Sequence, residues 1–189
     1  IKIEGYSSCY ILGAFINRRW TKGYTGFFTG FLDYITAPET RAPLDFFSWH
    51  GYLGKEGLDK IEAESSFVEA TLKRYGLKEV EMIDNEWNCL ISDDNDTIGR
   101  SKFINMRNEK GASHIAASLY EMQRCKVDAA MFYDAQLWCA YGCLFELPSY
   151  KPTKSYYAFL QFSELFELEN AAECTYDKNI YACAASGVY

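Results

Sequence analysis

The sequence predicts an α/β fold with parallel strands, on three observations. Short β-prone runs alternate with longer stretches whose apolar residues recur at helical spacing, the order that right-handed crossover connections produce. No strand is followed by G-x-G-x-x-G or G-x-x-x-x-G-K-[ST], so no phosphate-cradling turn is present. Polar and aromatic residues collect where strands end: Ser48-Trp49-His50-Gly51-Tyr52, Asp84-Asn85-Glu86-Trp87-Asn88 and Tyr133-Asp134-Ala135-Gln136. A doubly wound sheet and a (β/α)8 barrel both satisfy the alternation. In barrels the carboxyl ends of the strands carry the active site.

Ile1 to Gly5 reads as a first strand. Phe27, Phe28, Phe31, Leu32 and Ile35 then line one face of a helix that Pro38 closes. Leu44 to Trp49, after Pro43, is a compact buried strand. From Asp59 to Tyr75 the residues Ile61, Phe67, Val68, Leu72 and Tyr75 predict a helix, with Lys73-Arg74 in the last turn and Gly76 as its stop. A strand follows over Glu79 to Trp87, and Cys89 to Lys110 reads as a long polar loop. Ala112, Ile115, Ala116, Leu119 and Met122 mark the next helix, Val127 to Asp134 the next strand, and Ser155 to Leu168 a last amphipathic helix. Glu173 to Tyr176 and Ile180 to Cys183 then suggest a hairpin about Asp177-Lys178-Asn179.

Composition narrows the function classes. With 189 residues, 49% apolar and 17% aromatic, the chain can bury a substantial core. A net charge of −7 opposes a nucleic-acid partner, whose phosphates need Lys and Arg. The longest apolar stretches, Ala129 to Phe132 and Leu137 to Leu144, fall far short of the ~20 residues that span a bilayer, so no membrane partner is expected. Ile1-Lys2-Ile3 already reads as strand and the C-terminal hairpin is followed by few residues, so truncation at both ends is expected. The seven cysteines form no C-x-x-C pair and read as buried free thiols. A disulfide from Cys174 to Cys183 across the hairpin is left open.

Glu86 carries the chemistry. It closes a strand between Asn85 and Trp87, where a carboxylate can attack an anomeric carbon while amides and indoles hold hydroxyls and ring faces. The plainer reading is a strand-end Glu in water or paired with a Lys. His50 and Tyr52 close the preceding strand and would stand beside it, although a lone His is more often structural. Trp49 and Trp87 read either as sugar contacts or as core aromatics.

The run Leu44-Asp45-Phe46-Phe47-Ser48-Trp49-His50-Gly51-Tyr52, a helix, and a strand ending Asn85-Glu86-Trp87-Asn88 together resemble glycoside hydrolase family 39, the β-xylosidase and α-L-iduronidase group. The resemblance implies the C-terminal part of a (β/α)8 TIM barrel, strands five to eight, over residues 1–168. Residues 169–189 would begin an accessory β-sandwich. It implies a retaining, xylosidase-like O-glycoside hydrolase with Glu86 as nucleophile. His50, Tyr52, Trp49, Trp87, Asn85 and Tyr133 would line the sugar site, with a carbohydrate as partner and no cofactor. Ile1-Lys2-Ile3-Glu4-Gly5 is similar to the family's fifth strand, except that Tyr6 replaces its usual second Gly. Val127 to Asp134 would be the eighth, with Phe132-Tyr133-Asp134-Ala135-Gln136 where the family often has a Trp-containing segment. The family's acid/base Glu, in an N-E-P-type motif, has no counterpart in the chain and is expected before Ile1. The chain by itself is therefore expected to be inactive, and an isolated half barrel to self-associate through exposed strand edges.

Two other readings remain at this level. A non-catalytic relative could bind sugar through the same aromatic cleft. A different barrel hydrolase could use Asp84 or Asp134 with Glu86, since Asp84, two residues earlier, falls on the same side of a regular strand. No metal site is expected: His50 and His114 lie on different elements, and Asp93-Asp94-Asn95-Asp96 lacks the Gly and distal Glu of an EF-hand and reads as a solvated loop.

Overall fold

A computed structural model describes residues 4–7, 21–54, 57–91, 100–137, 140–174 and 180–187. They form two units, the first drawn from residues 1–52, 59–87 and 125–132, the second from 53–58, 88–124 and 133–189.

The first unit is a mixed α/β body built on a four-stranded sheet: β1 (Glu4–Ser7), β2 (Phe46–Leu53), β3 (Glu81–Cys89) and β4 (Ala129–Phe132), adjacent in chain order. β1 pairs parallel to β2, with Tyr6 opposite Ser48, and β3 parallel to β4, with Ile83 opposite Ala129. The central pair runs the same way, because Glu81 at the start of β3 donates to Asp45 just before β2 (3.0 Å) and Leu90 just after β3 to Leu53 at the end of β2 (2.7 Å). Helix α1 (Thr21–Thr36) follows β1, and α2 (Asp59–Arg74) connects β2 to β3. The predicted first strand is therefore seen from Glu4 onward, residues 1–3 lying outside the described ones.

The helices form because one face of each can be buried. Phe28, Leu32 and Ile35, at i, i+4 and i+7, bring α1 into a cluster with Phe47 and Trp49 of β2, Val68 and Leu72 of α2, and Val80 and Met82 at β3. Phe28 and Phe47 stack at 4.2 Å. Each of these side chains contributes about 1.5–3 kcal/mol by leaving water. α2 ends as its Gly76 predicts: at φ +76°, Gly76 donates to the Lys73 carbonyl and Leu77 to that of Leu72, both at 3.0 Å, a Schellman closure.

In the second unit, α3 (Arg100–Asn105) and α4 (Glu109–Arg124) occupy ground predicted as loop up to Lys110. At six residues α3 is shorter than two turns, too short for a periodic signal. α5 (Lys154–Phe166) packs on α4. Its start is held by Ser155, whose hydroxyl donates to the Met106 carbonyl (2.5 Å), and by Thr153, which donates to that of Cys143 (2.5 Å).

The terminal hairpin is present but displaced outward. Its antiparallel strands are β5 (Asn170–Ala172) and β6 (Ala184–Ser186), with Ala171 opposite Ala185. Thr175, Tyr176 and the predicted turn lie outside the described residues, as does the acidic run Asp93 to Asp96. Cys174 and Cys183 are free thiols, which settles the disulfide question against a bridge; Cys89, Cys125 and Cys143 are free as well. Among the described residues no helix is long and apolar enough to cross a membrane.

Candidate active site

β2 runs past the predicted end at Trp49 and carries His50, Gly51 and Tyr52 inside the strand. Alternation sends its residues to opposite faces. Phe47 and Trp49 join the cluster with the helices, so His50 and Tyr52 face the other way. On β3, Met82 joins the same cluster, and Asp84, two residues on, is also buried on the helix side. Its carboxylate accepts the Gly51 N–H at 2.9 Å and lies where a Cβ on Gly51 would be, 2.1 Å from Oδ2.

Between Asp84 and Trp87 the register slips. Asp84 is opposite Ala130 and Trp87 opposite Phe132, so three steps along β3 match two along β4. This β-bulge adds a residue and reverses the faces beyond it. Glu86 consequently turns away from Asp84 and toward His50 and Tyr52. The expectation that Asp84 and Glu86 share a side is corrected here: it holds for a regular strand, and this strand is bulged.

The Glu86 carboxylate meets both β2 residues. The Tyr52 hydroxyl donates to Glu86 Oε1, and His50 Nδ1 lies 3.6 Å from the same oxygen. That second separation is too long for a hydrogen bond but close enough for attraction whenever the imidazole is protonated. The Glu86 side chain is 27% exposed and that of His50 10%. A carboxylate fixed through one oxygen and reachable from solvent can act as a nucleophile or a base.

Trp49 and Trp87 are 2% and 1% exposed, Trp87 meeting Phe132 edge to face at 5.1 Å. Of their two readings, the core one describes them; a ring with no open face cannot stack on a sugar. Asn85 sits in the bulge, with its Oδ1 buried and lacking a hydrogen-bond donor among the described residues. Asn88 is buried and structural: its Nδ2 donates to the carbonyls of Tyr133 (2.6 Å) and Tyr141 (3.2 Å). Tyr133 belongs to the second unit, 37% exposed, its ring 5.7 Å from that of Tyr141.

Behind the site, Asp84 shares a buried patch with Lys60 and Glu64 of α2. Burial, reinforced by the negative charge of Glu64, pushes the Asp84 carboxyl well above its usual range, against the pull of the Gly51 and Glu86 N–H groups and Lys60. Lys60 Nζ donates to the Tyr52 carbonyl at 2.5 Å and lies 3.7 Å from Glu64 Oε1. Neither Lys60 nor Glu64 stands out in the sequence, because both lie within an ordinary amphipathic helix. Among the described residues no group of three or more His, Cys, Asp or Glu is placed to hold a metal ion.

Parallel strands thus bring a carboxylate, a tyrosine and a histidine together near their carboxyl ends, and comparison with solved structures finds a similar fold in a glucosidase. A glucosidase from Croceicoccus marinus is similar over 85% of this chain, with 24% identity and a TM-score of 0.66. A GH128 endo-β-1,3-glucanase from Amycolatopsis mediterranei, in complex with laminaritriose, matches 73% of the chain and 52% of its own at 15% identity, TM-score 0.47. Xylanase 10B from Thermotoga petrophila, in complex with xylobiose, matches 86% of the chain and 46% of its own at 18% identity, TM-score 0.46. The chain spans about a third, 34%, of the glucosidase. No protein-family model and no curated protein matches the sequence.

Proposed function

We propose that the protein is a retaining O-glycoside hydrolase, xylosidase-like in its sugar preference, with Glu86 as nucleophile. The observation that carries the reading is the asymmetry of the Glu86 carboxylate: Tyr52 and His50 both approach Oε1, which leaves Oε2 to attack. The resemblance to glycoside hydrolase family 39 at His50, Tyr52 and Asn85-Glu86-Trp87-Asn88 supports the same assignment, as does the glycosidase-like fold.

In this mechanism Glu86 Oε2 forms a bond to the anomeric carbon as the glycosidic C–O bond breaks. A second carboxylic acid, about 5–5.5 Å away, gives its proton to the leaving oxygen. Water, deprotonated by that same group, then hydrolyses the glycosyl ester and restores Glu86. Asp84 is not this second acid, because it lies on the opposite face of β3. Tyr52 holds the nucleophile in one orientation, so less orientational freedom is lost on the way to the transition state. His50 lines the sugar site, and Asn85 supplies an amide at the bulge.

The test is Glu86→Gln in the full-length protein, assayed on aryl β-xylosides. Turnover falls at least about a thousandfold, as removal of a nucleophile requires. Turnover that survives the substitution rejects Glu86 as nucleophile. If the wild type binds xylosides without cleaving them, the non-catalytic, sugar-binding reading replaces this one.

A further inference from the structure

We propose that Asp84 is a positioning residue for Glu86, fastening the Gly51 backbone, between His50 and Tyr52, to the β3 bulge that turns Glu86 toward them. The proposal rests on the glycosidase reading only for its catalytic consequence.

Three observations meet at this carboxyl group. It accepts the Gly51 N–H at 2.9 Å, so the β2 peptide that separates the two residues touching Glu86 is held from β3. The Glu86 N–H also favours the ionised form of this carboxyl group, which therefore stands beside the far side of the bulge. And Gly51 has no Cβ: one placed there would come within 2.1 Å of Oδ2 and 2.9 Å of Cγ. The glycine is therefore the space the acid occupies. A surface carboxylate would be screened and mobile, whereas Asp84 is 4% exposed.

The groups packed around it complete a support layer. From α2, Lys60 holds the Tyr52 carbonyl and lies beside Glu64, which is 2% exposed. Both strands that present the site are thus tied at one level, Asp84 bridging strand to strand and Lys60 joining strand to helix. Buried polar groups of this kind fix the geometry of the residues in front of them by hydrogen bonding, not by contact with the reacting atoms.

Two measurements on the full-length protein test this, with Asp84→Ala, Asp84→Asn and Gly51→Ala. The first is backbone amide hydrogen exchange at residue 51. The second is inactivation by 2,4-dinitrophenyl 2-deoxy-2-fluoro-β-xyloside, in which Glu86 bonds to the anomeric carbon and dinitrophenolate leaves with the electron pair, without a proton donor. In Asp84→Ala and Gly51→Ala, exchange at the residue 51 amide rises about tenfold or more, as expected when a buried hydrogen bond is lost. The limiting inactivation rate falls about a hundredfold with little change in the half-saturating concentration. Asp84→Asn, which keeps an acceptor oxygen, restores most of both.

Unchanged exchange in either disruptive variant overturns the proposal, as does a loss of inactivation that appears only in the half-saturating concentration. If Asp84→Ala does not fold, Gly51→Ala decides, since it displaces the carboxyl group without deleting it. A wild type that is never labelled at Glu86 rejects the glycosidase reading instead, and amide exchange then decides the positioning role alone.

Discussion

Replacing Gly111 by Ala should destabilise the protein, while the same change at Gly26 should stabilise it. Both glycines lie inside helices, where propensity alone favours Ala by about 1 kcal/mol. At Gly111, buried near the start of α4, an added Cβ would lie 2.5 Å from the Met106 carbonyl oxygen, 2.7 Å from that of Asn105 and 2.7 Å from the Met106 carbonyl carbon. All three are backbone atoms, so no side-chain rotation relieves the overlap. The Met106 carbonyl also accepts the Ser155 hydroxyl that anchors α5, so moving it strains a second contact. Overpacking of this kind costs about 1–3 kcal/mol or more. Set against the propensity gain, the net loss is up to about 2 kcal/mol, or up to roughly 8 °C in Tm for a chain of this size. At Gly26, exposed on α1, nothing lies within 4 Å of the added methyl, so the gain remains. Urea titrations followed by circular dichroism at 222 nm give both midpoints. A Gly111→Ala midpoint at or above wild type would refute the argument, because propensity would then have outweighed the clash.

Two further outcomes follow from the buried titratable groups. Burial raises the Asp84 carboxyl above the ordinary 3.8, so the folded state holds its proton more tightly than the unfolded state does. The stability this adds is fully present below about pH 3.8 and is lost as the pH rises through the folded-state value. Asp84→Asn should therefore gain on wild type as pH is raised from 4 toward 8; urea midpoints that keep a constant difference would contradict this. Burial also pushes the Cys89 thiol to about 11 and that of Cys143 to about 12. Neither should react with Ellman's reagent at pH 8 until denaturant is added, whereas the exposed Cys183 should react in the folded protein; mass mapping of the modified sites reads the order.

Much of the fold was legible because its long elements repeat one rule. The apolar faces of α1, α2 and α5 recur over three or more turns, and Gly76 ends α2 as a positive-φ glycine does. What escaped was short or depended on distant partners. α3 has six residues. β5 and β6 are built from Asn, Ala and Ser, which carry no β-prone signal. At the site, the strand-end positions of His50, Tyr52 and Glu86 were readable from pattern, and the structure brings the three together. The face of Asp84 was not readable. It depends on the register of β3 against β4 and on the absence of a side chain at Gly51, two facts held by other parts of the chain. The tryptophans were ambiguous for a related reason: aromatic rings suit a sugar and a core equally until burial is known.

The bulge makes the spacing of residues 84–87 as consequential as their identity. Regular alternation over the same residues would put Glu86 on the side of Asp84 and present the Trp87 indole where the carboxylate now stands, so the extra residue is what separates the two acids. A point substitution changes one side chain; the register of β3 against β4 decides which surroundings every later side chain meets. Homologues of this chain are therefore best aligned with this segment held at constant length, and libraries that sample loop lengths should leave it untouched.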